Sequence, residues 1–99
     1  MPYFITLGRW TEQGIKNVKE SPKRAAAAKA LIERSGGKWL GIYYTFGEFD
    51  FVAITEQGSG TDESAMRDIL AIGGQGSART ITLKAFSLSE AEKIFSQLP

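Results

Sequence analysis

Residues 38–55 contain two strand-length runs that are apolar on both faces, and this doubled pattern constrains the fold more than any other feature of the chain. Alternation in the first run, 38–46, puts Leu40, Ile42, Tyr44 and Phe46 on one face and Trp39, Tyr43 and Thr45 on the other, with Gly41 in the second set. In the second run, 49–55, Phe49, Phe51 and Ala53 alternate with Val52 and Ile54. An antiparallel sheet wetted on one side shows apolar residues alternating with polar ones, so a sheet built from these strands must be covered on both sides. A chain of 99 residues supports one core and has helix enough for one face. A second subunit is therefore expected on the other face, which makes the chain its own partner as a homodimer or higher homo-oligomer.

The remaining elements are read from their punctuation. Residues 3–7 are β-branched and aromatic and end at Gly8, and Thr11 offers a cap for a helix. From 11 to 34 the pattern is helical but interrupted at Ser21-Pro22, a fresh cap followed by proline, so two helical pieces or one kinked helix are predicted. Ala25, Ala28, Leu31 and Ile32 form one stripe of the second piece, small enough to approach a sheet closely. Gly36-Gly37 stops it. Gly47-Glu48 reads as a two-residue hairpin turn between the two strands. After the loop at 57–60, Thr61 or Asp62 can cap a helix carrying Met66, Ile69, Leu70 and Ile72. Gly73-Gly74-Gln75-Gly76 follows a helix and precedes a strand, which is a helix end and not a phosphate loop. In the strand predicted over 78–86, Ile81, Leu83 and Ala85 alternate with Thr80, Thr82 and Lys84, and a last helix opens at Ser87 or Ser89. The order βαββαβ plus a terminal helix predicts an α+β, ferredoxin-like fold with a four-stranded antiparallel sheet in one domain, 1–99. In that arrangement the third strand is expected beside the first and the fourth beside the second.

Composition closes several functional classes. The chain has no cysteine and no histidine, so disulfides, thiolate chemistry, histidine-ligated metals and a Ser-His-Asp hydrolase are excluded. No metal and no cofactor are expected. No run reaches the roughly 18–20 apolar residues of a membrane span, and strand-like sequence follows Met1-Pro2 directly, so a cytoplasmic protein without membrane contact is expected. The net charge of +1 conceals a split: residues 1–40 carry eight Lys/Arg and three acids, and residues 41–99 carry four and eight. Lys16, Lys19, Lys23, Arg24 and Lys29 read as a solvated helix face, and nucleic acid is not expected as a partner.

Tyr43-Tyr44-Thr45-Phe46-Gly47-Glu48-Phe49-Asp50, with Thr11-Glu12-Gln13-Gly14-Ile15 before it and Ala78-Arg79-Thr80 after it, resembles the GYD domain family. Ser21-Pro22-Lys23-Arg24, Gly36-Gly37-Lys38 and Arg79-Thr80-Ile81-Thr82-Leu83 extend the similarity to nearly the whole chain. The resemblance implies a dimeric α/β-barrel, two ferredoxin-like sheets packed face to face, and it implies no particular activity. One departure matters: Phe49 stands where the family's Gly-x-Tyr-Asp signature usually has tyrosine, so that hydroxyl is missing.

Five residues are candidates for a ligand site. Asp50 opens a strand apolar on both faces and needs a partner, for which Arg79 is proposed, across the barrel or the subunit interface. Glu48 is a turn residue beside it. Tyr43 and Tyr44 alternate, so one of them at most can line a given cavity. Trp10, next to Arg9 at a strand end, stands where a polar edge can hold an anion. No catalytic residue is identified. The reading that ranks first is a small-molecule-binding or regulatory oligomeric module, helped by a hairpin that also resembles, at the level of fold, the ligand-binding domain of Lrp/AsnC regulators. The alternatives are a cofactor-independent dimeric α/β-barrel enzyme of monooxygenase or isomerase type, using Asp50 or Tyr43 for proton transfer, and a structural assembly protein.

Overall fold

Tyr3–Trp10 forms β1, the central strand on which the rest of the sheet is built. The structure, a computed structural model, describes residues 3–56, 58, 62–73 and 76–99. Helix α1 (Glu12–Lys16) follows, then a 3₁₀ turn (Val18–Glu20), α2 (Ser21–Arg34), β2 (Lys38–Tyr44), β3 (Phe51–Glu56), α3 (Asp62–Gly73), β4 (Ala78–Ala85) and α4 (Leu88–Phe95). The four strands form one sheet in the order β2-β3-β1-β4, every neighbour antiparallel. This is the ferredoxin-like arrangement, with one correction: β4 lies beside β1 and not beside β2. Most of the loop expected at 57–60, the Thr61 cap, and Gly74-Gln75 of the expected helix end lie outside the described residues, as do the side chains of Asp62, Ile69 and Ile72.

Local chemistry sets the helix ends. The Thr11 hydroxyl accepts from the Gly14 N–H at 3.0 Å and donates to the Gly76 carbonyl at 2.6 Å, which caps α1 and ties it to the start of β4. Pro22 sits in the first turn of α2, where its missing N–H costs nothing. Ser21 is no cap, however: it is the first residue of α2, and its hydroxyl bonds the Tyr44 hydroxyl at 2.8 Å. At the other end Gly36 takes φ 86°, its N–H donates to Glu33 and the Gly37 N–H donates to Ile32, which closes the helix with a Schellman motif. Ser87 and Glu90 cap α4 reciprocally: the Glu90 N–H donates to the Ser87 hydroxyl and the Ser87 N–H to the Glu90 carboxylate.

The β2–β3 pair departs from regular alternation in two places. Trp39 pairs with Thr55 and Gly41 with Ile54, so Leu40 is an extra residue, a β-bulge. The bulge reverses the parity expected for β2: Trp39 shares a face with Ile42 and Tyr44, and Tyr43 lies on the opposite one. The hairpin is also wider than a two-residue turn. Residues 45–50 connect β2 to β3, held by the Thr45 N–H on the Asp50 carbonyl at 2.8 Å and the Thr45 hydroxyl on the Phe49 carbonyl at 2.6 Å.

Helices α2 and α3 cover the sheet face that carries Phe4, Thr6, Phe51 and Ala53. The other face carries Ile5, Leu7, Val52, Ile54, Tyr43, Ile81 and Leu83, and no helix covers it among the described residues. In β4 the apolar Ile81 and Leu83 are exposed while Thr80 and Thr82 are half-buried, the reverse of the usual order. Helix α4 likewise leaves Leu88, Ile94 and Phe95 exposed, as is Leu98 beyond its end. The radius of gyration, 14.7 Å, exceeds the roughly 13 Å usual for this length. No helix among the described residues is long and apolar enough to cross a membrane.

Candidate functional site

A cavity of about 140 Å³ lies between the helices and the sheet. It exists because the facing residues are small: Ala25 and Ala28 of α2 stand opposite Thr6, Ala53 and Thr55 of the sheet. Larger side chains line it as well, Phe4, Ile32 and Trp39 among them. Trp10 and Phe51 line it too, their ring centroids 5.2 Å apart, and the Tyr44 ring stacks against Trp10 at 6.3 Å. The Ser21–Tyr44 hydrogen bond anchors this aromatic cluster to α2. Gly8 is what lets Phe51 lie over β1, because a Cβ at that position would fall inside the Phe51 ring.

The lining also holds polar side chains, among them the carboxylates of Glu56 and Asp68. Ser64 and Asp68, four residues apart on α3, are on one helix face and both reach the cavity. Asp68 is 4% exposed. Among the described residues its nearest cation is Arg67, whose Nε is 3.8 Å from Oδ1, beyond hydrogen-bond length, on a side chain that is itself 70% exposed. Arg24 also lines the cavity, but its guanidinium donates to the Asn17 carbonyl at 3.0 Å.

Of the five residues singled out in the sequence, Trp10 alone lines this cavity. Asp50 serves the backbone instead, since its N–H donates to the Gly8 carbonyl and its carboxylate accepts the Trp10 N–H, both at 2.8 Å. It thus extends the β1–β3 ladder with a side chain and fixes the backbone of Trp10. Arg79 is exposed, in register with Arg9 on β1, and makes no ion pair with Asp50 within the chain. Glu48 does have a partner: its carboxylate binds the Arg9 guanidinium at 2.7 Å, and Arg9 lies over the Phe49 ring at 4.9 Å from the centroid. The cation beside Trp10 is therefore already engaged. Tyr43 is 60% exposed on the open sheet face. Asp68, Ser21, Phe51 and Trp39 line the cavity without having been singled out in the sequence. Among the described residues no group of three or more carboxylates is assembled as a metal site.

The four-stranded sheet with its helices is similar to that of a de novo designed protein, Ferredog-Diesel, over 85% of this chain and 85% of that one, with a TM-score of 0.52 and 16% sequence identity. None of the curated proteins matches the chain. The model of the GYD domain matches residues 4–95, and with the match covering nearly its whole length the chain belongs to the GYD domain family.

Proposed function

We propose that this protein is a small-molecule-binding module that holds its ligand in the cavity between α2, α3 and the sheet, and works as a homo-oligomer joined through the open sheet face. The cavity carries the reading. Its walls are aromatic and aliphatic with a few placed polar groups, the composition usual for ligand pockets, and at about 140 Å³ it suits a small ligand. The uncovered Ile81, Leu83, Leu40 and Tyr43 support the oligomer, since each is 46–60% exposed in the single chain and all belong to one sheet. An enzyme using Asp50 or Tyr43 has less support, because Asp50 is committed to the Trp10 N–H and neither residue lines the cavity.

Native mass spectrometry of freshly purified protein tests both halves together. A dimer or larger species carrying a discrete extra mass is expected, and Ala28→Phe, which fills the cavity, should lose that mass while keeping the oligomer. A bare monomer, with no thermal shift across a broad metabolite panel, would refute the reading.

A further inference from the structure

The deepest polar group facing the cavity is an acid. Asp68 is 4% exposed, it lines the cavity, and no described protein group donates a hydrogen bond to its carboxylate. An ionised carboxylate accepts only, with room for several donors, and its burial is costly unless a cation or strong donors meet it. Arg67 does not do this, being mostly exposed and 3.8 Å away at its closest. Arg24, which lines the cavity as Arg67 does not, is turned to the Asn17 carbonyl. The same cavity is lined by the aromatic rings of Trp10, Phe51, Phe4 and Trp39. Aromatic walls favour a flat ring and also favour a cation held above a ring face. The volume is of the class that accepts a single benzene ring, for which about 150 Å³ suffices in an apolar cavity.

Resting on the cavity reading above, we infer that the site takes a small aromatic amine, its ring packed among Trp10, Phe51 and Trp39 and its protonated nitrogen donating to the Asp68 carboxylate. Asp68 is thereby the specificity-determining residue, and the aromatic cluster supplies most of the contact area. A phosphate or carboxylate ligand would meet the wrong charge there.

The test uses three probes that share one ring and differ only in the terminal group: phenethylamine, a cation at neutral pH; phenethyl alcohol, neutral; and phenylacetate, an anion. Both tryptophans of the chain line the cavity, so intrinsic fluorescence reports occupancy directly. Phenethylamine should bind the wild-type oligomer about tenfold to a hundredfold more tightly than phenethyl alcohol, the range for a hydrogen bond between charged partners, and phenylacetate should bind most weakly. In Asp68→Asn, which keeps the shape, the amine's advantage over the alcohol should shrink to about twofold or less, since the charge that favours the amine has been removed. Equal binding of all three probes to wild type overturns the inference while leaving the cavity as a ligand site, and so does an amine preference that survives Asp68→Asn. The wild-type comparison decides without the variant, so a poorly folded Asp68→Asn does not rescue the idea. Should none of the probes change the tryptophan signal, and should Ala28→Phe also leave the native mass unchanged, the cavity reading falls together with this one.

Discussion

Ile81→Lys separates the stability of the single chain from the stability of the proposed dimer. Ile81 sits on the uncovered face of β4 and is 52% exposed, so in the monomer the lysine ammonium reaches water freely. The monomer should lose about 1 kcal/mol, from strand propensity and the buried half of the isoleucine, part of whose cover the lysine stem keeps. In a face-to-face dimer the account differs. Full burial of an isoleucine is worth roughly 1.5–3 kcal/mol, so the half still exposed has about 0.8–1.5 kcal/mol left to gain. A two-fold interface counts each residue twice, giving about 1.5–3 kcal/mol per dimer. Lysine forfeits this and adds a desolvation penalty wherever its ammonium is trapped against the partner. The apolar part alone weakens association about tenfold to a hundredfold. Sedimentation equilibrium over a range of protein concentrations measures the association, and urea unfolding of the dilute protein measures the monomer. A wild-type protein that sediments at 10.8 kDa at every concentration would refute the dimer, as would an oligomer mass that Ile81→Lys leaves untouched.

Gly8→Ala should cost about 1–3 kcal/mol of unfolding free energy, the usual range for overpacking, because the new methyl meets the Phe51 ring; Phe51→Leu in the same chain should return part of it, and additive losses in urea titrations would argue against this contact. Asp50→Ala should cost about 1–3 kcal/mol by leaving the part-buried Trp10 N–H without its acceptor, whereas Asp50→Asn keeps an acceptor oxygen and should cost less; equal stability of the alanine variant and wild type would remove Asp50 from the ladder. The Glu90 carboxyl is held below its ordinary range by hydrogen bonds with Ser87, first from the backbone N–H and then with the hydroxyl. Because the folded-state value is depressed, the capping contribution is full above about pH 4.3 and disappears as pH falls through the lower folded value. The helical circular dichroism signal of wild type should therefore drop in acid relative to Glu90→Gln, and a flat difference between the two would contradict the cap.

Much of the architecture was legible because it is written in local chemistry. Gly36-Gly37, Thr11 and the Ser87–Glu90 pair mark helix ends by hydrogen bonds that need no tertiary context, and β-branched runs mark the strands. The parity of β2 was not legible, since strict alternation assumes one residue per rung and the single extra residue at Leu40 inverts the assignment of Trp39. The hairpin escaped for a related reason: Gly47-Glu48 has the composition of a tight turn, while the bonds that set its true width run from Thr45 to Phe49 and Asp50. Asp50 opens an apolar strand and needs a partner, but the partner is a backbone N–H and not Arg79, a pairing that no side-chain inventory can reveal. Asp68 was hidden because the apolar residues of α3 are its strongest sequence signal. In the structure Met66 and Leu70 are exposed and Asp68 is buried, so these two apolar residues do not mark the face of α3 that packs on the sheet. The signal that could have found it is the spacing of Ser64 and Asp68, a polar pair one turn apart on a helix otherwise expected to pack.

The two faces of the sheet depart from a closed core in opposite senses. On the helix side the sheet offers Thr6, Ala53, Thr55 and Thr80, and α2 answers with Ala25 and Ala28, so side-chain volume falls short and a cavity results. Ala53 is accordingly the one apolar residue below a tenth exposed among those described. On the open side the residues are large, Ile5, Leu7, Val52, Ile54, Ile81 and Leu83, and volume is in excess with nothing among the described residues to receive it. Interiors fill to nearly uniform density, so a deficit and an excess call for different occupants. A deficit of about 140 Å³ with an acid at its wall fits a molecule of one ring and one cationic group. An excess spread across a whole sheet fits another surface of the same kind, which a second copy supplies by symmetry. The two occupancies draw on different residues, Asp68 for one and Ile81 for the other, on opposite sides of the sheet. Loss of one should therefore leave the other measurable, which is what makes the two proposals separately refutable.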